Sequence, residues 1–224
     1  MKFRLPVYLM LVLALASFAY ALPSGATVTA GTPETGAGAG AGSVAAQGGN
    51  ITEVDLTAST ITDSWQGFFG EVSGNITLED ASGDVFYAWD LATTSGEVLA
   101  SRNSTIDFTT VAGVEVCTVD ETLTGTGNDR TNLTFTNATI APPIVVAGVS
   151  IDEACQVFTY VNNQSQSADF EEIILSATGV TSIYTTRIEA DTTGYDGATH
   201  DYQLLVAETE NASISTYFFF VEFD

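Results

Sequence analysis

From Asn50 onward, apolar and polar residues alternate in short runs separated by turn residues. The runs are "ITEVDLT" (51–57), "VSGNITL" (72–78), "DVFYAWDL" (84–91), "STIDFTTV" (104–111), "VEVCTV" (114–119), "NLTFT" (132–136), "QVFTYV" (156–161), "EEIILS" (171–176), "SIYTTRIE" (182–189), "DYQLLVAE" (201–208) and "SISTYFFFVEF" (213–223). Their two-residue period is that of strands with one buried face. Clusters such as "EDASGD" (79–84), "GTGND" (125–129) and "ADTTGYDG" (190–197) supply the turns. Beyond residue 21 no stretch holds a 3.6-residue apolar period for three turns. The pattern predicts an all-β domain over residues 50–224, a β-sandwich or alternatively a distorted barrel of about eleven or twelve strands.

The first 49 residues follow a different logic. Lys2 and Arg4 precede an apolar run from Val7 to Ala19 and the small-x-small triplet Ala19, Tyr20, Ala21. That is a signal-peptide layout over residues 1–21, with cleavage expected after Ala21 and an uncleaved N-terminal anchor as the alternative. Residues 22–49 are rich in Gly, Ala, Thr and Ser and hold no aromatic residue. They have too little apolar surface to offset ordering, so they read as a flexible linker. The product is expected to be secreted or displayed at the cell surface.

Charge narrows the partners. Without residues 1–21 the cations are Arg102, Arg130 and Arg187, three against 28 acidic residues, a net charge of −25 with no lysine. Such a surface repels phosphate backbones and anionic headgroups, which disfavours nucleic acid and membrane binding by the mature domain. It fits a surface kept soluble in concentrated salt, with collection of divalent cations as the alternative. Self-association, other surface proteins and glycans remain open as partners. Cys117 and Cys155, an even pair in an exported chain, are expected to form a disulfide, the alternative being two buried thiols.

Asn-x-Ser/Thr triplets begin at Asn50, Asn75, Asn103, Asn132, Asn137, Asn163 and Asn211, seven of the nine asparagines. At the chain's Ser and Thr content chance gives about two, so these are candidate N-glycosylation sites. Amphipathic Thr-rich strands offer a competing origin, with Ile51, Ile76 and Leu133 as inward middle residues. In "TNLTFTNAT" a strand would turn Leu133 and Phe135 inward and Asn132, Thr134 and Thr136 outward.

Catalytic signatures are missing: there is no Gly-x-Ser-x-Gly elbow, phosphate loop or His-Glu-x-x-His helix. The single histidine, His200, reads as a surface or capping residue, and carboxylate pairs such as Glu171–Glu172 carry little weight in so acidic a chain. No enzyme activity and no obligatory cofactor are expected. Asp191, Asp196 and Asp201 in "ADTTGYDGATHDY" are candidate Ca²⁺ ligands, because a Gly-bearing turn would gather hard oxygens. Asp80 and Asp84 in "EDASGD" are weaker candidates. Trp65, Phe68, Phe69, Phe86, Tyr87 and Trp89 read as inter-sheet core, with a carbohydrate platform as the alternative.

Together, "WQGFFGEVSGNITLEDASGDVFYAWDL", the Cys117/Cys155 pair, "FEEIILS", "RIEADTTGYDGATHDYQLLVAE" and "TYFFFVEF" resemble a family of secreted archaeal surface proteins with no assigned activity. The resemblance covers nearly all of residues 50–224. It implies an archaeal exterior and a β-rich domain, and carries over no catalytic residue. These readings converge on a non-catalytic, glycosylated surface protein, a filament or surface-layer subunit assembling by strand addition, with "NITEVDLT" as the candidate donor. The alternative is a carbohydrate- or calcium-dependent adhesin.

Overall fold

The computed structural model describes residues 22–91, 93–209 and 214–224; residues 1–21, expected to be a signal peptide, and the candidate acceptor Asn211 lie outside them. In chain order the strands are β1 (Ser24–Gly25), β2 (Trp65–Gly70), β3 (Asn75–Glu79), β4 (Val85–Asp90), β5 (Gly96–Ser101), β6 (Ala112–Gly113) and β7 (Thr136–Val146). They continue as β8 (Val149–Phe158), β9 (Glu171–Ala177), β10 (Val180–Arg187), β11 (Thr192–Thr193), β12 (Thr199–His200), β13 (Tyr202–Ala207) and β14 (Phe218–Phe223). All pairings are antiparallel, and the sheets do not close into a barrel. The fold is a sandwich-like all-β architecture.

The main sheet has the order β1-β14-β5-β10-β9-β8-β7, with β6 added beside β9. Its middle strands are buried on both faces, so they read as continuous apolar runs and successive residues serve two cores. Ala100, Ile174, Tyr184 and Cys155 face one way, against Leu204, Val206 and Ala207 of the separate β2–β13 ribbon and against Phe135. Leu99, Ile173, Leu175 and Ile183 face the other way, against Ile140, Ile144, Val146 and Ile151 of the β7–β8 hairpin. Ala147 and Gly148, at φ 52° and 75°, form that hairpin's two-residue turn, a geometry that matches strand twist.

Buried carboxyls fasten the layers. Glu172, fully buried on β9, accepts a hydrogen bond from the Leu205 amide of β13 at 2.7 Å, and burial raises its pKa well above the usual range. Both Glu222 oxygens on β14 accept from the Ala147 amide, at 3.0 and 2.8 Å, so the hairpin tip is held over β14. Glu97 on β5 sits directly opposite Glu222 in the ladder. Burial, then Asp224 and Glu222, push the Glu97 carboxyl up to about 8, against the pull of Arg187 and the Val145 amide.

The long segment between β5 and β7 is stapled to the sheet. Cys117 and Cys155 are disulfide-bonded, with Cα atoms 5.5 Å apart. Asp120 joins Arg102 at 2.5 Å and accepts from the buried Tyr184 hydroxyl at 2.8 Å. Val114 exchanges backbone bonds with Cys155 and Ile174.

Four predicted strands are not strands. Residues 51–57 are exposed and irregular; the 104–111 stretch holds only a 3₁₀ turn at Phe108–Thr110. Residues 114–119 form bends around the disulfide, and a one-turn helix spans Thr131–Thr134. In that turn Phe135 is buried as expected but Leu133 is exposed, and Thr131, buried, takes the inward place. Conversely, β5 and β7 escaped the alternation test, β5 because both its faces are buried and β7 because Pro142, Pro143 and a bulge between Thr139 and Ile144 break the period.

Glu97, Glu222, Glu172 and Glu189 all have raised pKa values. The folded state therefore holds protons that the unfolded chain releases above the ordinary glutamate value of 4.5, and Glu97 is pushed up to about 8. Stability should be greatest below about pH 4.5 with respect to these groups and fall as pH rises toward 8. Denaturant melts at pH 5 and pH 8 should show this loss, and Glu97→Gln should make it smaller by removing the Glu97 contribution.

Candidate functional site

The ribbon pairing of β2 with β13 puts Gly70 opposite Tyr202, which carries Glu71 to the start of the Asp-rich loop. Carboxylate oxygens of Glu71, Asp191 and Asp201 all lie within 4.8 Å of one another. Asp201 is buried, and its two oxygens accept from the Asp191 amide at 2.9 Å and the Val72 amide at 2.8 Å. The predicted trio is thus corrected: Asp191 and Asp201 meet, but Asp196 does not join them. The Asp196 Oδ1 accepts from the Ala198 amide at 2.9 Å and lies 3.0 Å from His200 Nε2. Those contacts, the Ala198 amide first, hold its carboxyl below the usual range. Glu71 is its replacement, and no local spacing pointed to it because its partners are 120 or more positions away.

His200 is buried rather than on the surface, its ring 4.7 Å from Phe69 and stacked 6.2 Å from Tyr195. A Cβ at Gly194 would lie 2.4 Å from that imidazole, so only glycine leaves room. The "EDASGD" stretch is a hairpin turn in which Asp80 Oδ1 accepts the Ser82 and Asp84 amides, and it joins no metal-type cluster among the described residues.

The aromatic region divides. Trp65 and Phe68 pack against the core, Phe68 edge-on to Phe219 at 5.1 Å. Phe69, Phe86, Tyr87 and Trp89 are exposed, against the expectation of inter-sheet core. β3 and β4 form a ribbon of their own, joined to no other sheet, with Ile76 opposite Trp89 and Leu78 opposite Tyr87 on one uncovered face. The Tyr87 and Trp89 rings are 4.8 Å apart.

All six described glycan acceptors, Asn50, Asn75, Asn103, Asn132, Asn137 and Asn163, are exposed. Ile51, Ile76 and Leu133, expected to point inward if the triplets were a by-product of strand patterning, are exposed too. That origin therefore fails at these three sites. The acidic pair on β9 is structural: Glu171 binds Arg187 Nε at 3.0 Å, and Glu172 ties down Leu205. Both charges of the Glu171–Arg187 pair line a cleft of about 360 Å³ beside Gln156 and Glu189, and are already engaged with each other.

The main sheet ends differently on its two sides. At β7 the edge is blunted by Pro142, Pro143 and a bulge. At β14 it is not: Phe218–Phe223 holds neither proline nor lysine, and β1 covers it only through Ser24 opposite Val221 and Gly25 opposite Phe220, with the Ala26 amide reaching the Phe219 carbonyl at 3.0 Å. Pro23 is buried at this seam, whereas residues 27–63 are exposed and strand-free. No part of this pairing was expected, because residues 22–49 carry no alternation.

No family model, curated protein or solved structure matches the chain.

Asp201→Ala would leave the Val72 and Asp191 amides without their acceptor. Loss of those two bonds should cost about 1–3 kcal/mol in denaturant melts, with the smaller loss in Asp201→Asn, which keeps one acceptor oxygen.

Proposed function

We propose that this chain is an exported, non-catalytic structural subunit of a cell surface, glycosylated on several of its exposed asparagines, that assembles with copies of itself by strand addition. The observation that carries the reading is β14, a largely apolar edge strand of which β1 covers two residues. Long unprotected edges of this kind template pairing with other chains, and strand addition uses main-chain hydrogen bonds for affinity and alternate side chains for specificity. The supply of extended chain is on hand in the exposed residues 27–63, where Ile51 and Leu56 lie open to solvent. The disulfide suits an oxidising exterior, and the acidic surface with exposed acceptors suits a solvated coat. Among the described residues no helix is long and apolar enough to cross a membrane.

Size-exclusion chromatography of the mature protein, with and without residues 22–58, at high salt tests the reading. Concentration-dependent oligomers of the intact chain that vanish on truncation are expected; monomer in both rejects assembly.

A second reading, calcium-dependent binding, is favoured by the Glu71, Asp191 and Asp201 oxygens. They offer three hard ligands on a glycine-bearing turn. It predicts a rise in Tm with millimolar calcium that is absent in Asp191→Asn; a flat calcium titration removes it.

A further inference from the structure

The observed register assigns both partners of the contact. We propose that β14's outer edge is a strand-acceptor slot filled in cis by residues 22–26 of the same chain and in trans by residues 22–26 of a second copy. This rests on the assembly reading above and names its partner: the donor is the segment just after Ala21, not the "NITEVDLT" stretch.

Three observations carry it. First, the slot is already read in one register: Ser24 opposes Val221 and Gly25 opposes Phe220, and the Ala26 amide donates to the Phe219 carbonyl. Continuing that register sets Leu22 opposite Phe223 and Thr27 opposite Phe218, the full length of β14. Pro23, lacking an N–H, contributes no ladder donor there. Second, the cis occupant is held by a two-residue strand, so releasing it breaks few bonds and buries little less apolar surface, the signature of a segment that opens locally at low cost. Third, the donor is tethered through residues 27–63, exposed and without strands. A flexible chain of that length has an end-to-end distance of roughly 30–35 Å, enough to serve its own edge or a neighbour's.

Exchange replaces each cis hydrogen bond by an identical one in trans, so the contacts themselves are energetically neutral. The balance is set by concentration: the linker gives the cis segment an effective concentration in the millimolar range. Dilute chains therefore close on themselves, and chains crowded at a surface exchange. Because donor and acceptor are different surfaces, the contact is heterologous, and it propagates as an open chain of subunits unless its rotation closes a ring.

The experiment places cysteines at the register pair. Ser24→Cys is made in ¹⁵N-labelled mature chain and Val221→Cys in unlabelled chain; the two are mixed under oxidised glutathione, and the 24–221 linked peptide is identified by mass spectrometry. A Ser24→Cys/Val221→Cys double variant at low concentration reports the cis contact. The expected result is an intrachain link in the dilute double variant and an interchain link in the mixture, rising on the order of tenfold between about 0.05 and 1 mM. A Val28→Cys chain in place of Ser24→Cys should link far less, because it lies past the register. Oligomers without a 24–221 interchain link would overturn this inference while leaving assembly through another surface; no oligomers and no link would overturn both. Should Val221→Cys not fold, the unsubstituted chain with excess synthetic peptide LPSGATVT decides the same point: lost oligomers support the exchange, and unaffected oligomers refute it.

Discussion

A β-strand at the end of a sheet has hydrogen-bonding groups on two sides and a neighbour on one, and this chain's organisation turns on how β14 meets that constraint. Its inner side is used in full by β5, from Phe218 opposite Ser101 to Phe223 opposite Gly96. Alternation then turns the backbone groups of Phe219, Val221 and Phe223 toward the free side, and the chain supplies only Ser24, Gly25 and the Ala26 amide to meet them. The opposite edge received a different solution, two prolines and a bulge in β7. One edge is closed by sequence, and the other is covered by a two-residue strand from the start of the described chain.

The side chains of β14 are committed to the interior. Phe220 packs into one core beside Phe108 at 5.2 Å, and Phe219 joins the other beside Phe68. Glu222, between them and Phe223, is spent on the Ala147 amide, and its cross-strand neighbour Glu97 is kept protonated by burial and by the surrounding acids. An inward charge is ordinarily a device against edge pairing; here the carboxyl has been turned to holding the β7–β8 tip, so it leaves the outer edge unguarded. The same acids make the edge's foundations firmer in mild acid than in base.

Much of the fold was legible in residue patterning, and the failures have physical causes. β3 was readable from the alternation of Ile76, Thr77 and Leu78 although neither of its faces is covered, and the cysteine pair was readable from its even count. β5 was hidden because burial on both faces erases alternation; the 114–119 stretch alternates by accident while the disulfide fixes it as a loop, and Thr131–Thr134 is a short helix whose Thr131 amide donates to Thr124 Oγ1 at 3.2 Å. Of the candidate metal ligands, Asp191 and Asp201 were identifiable from one loop, but Glu71 reaches them through the β2–β13 pairing, a long-range contact that no local motif announces. The cover on β14 was the least legible feature, since two residues of a Gly/Ala/Thr-rich linker carry no signal until the edge they meet is known.

Hydrogen–deuterium exchange of the Phe219, Val221 and Phe223 amides, followed by NMR across protein concentration, reads the central constraint directly. The account predicts exchange far faster than that of the Leu99 and Phe220 amides at every concentration, because a two-residue cover opens at low cost and the same bonds form whether the segment comes from the same chain or another. Protection of the outward amides equal to that of the sheet's centre would contradict it.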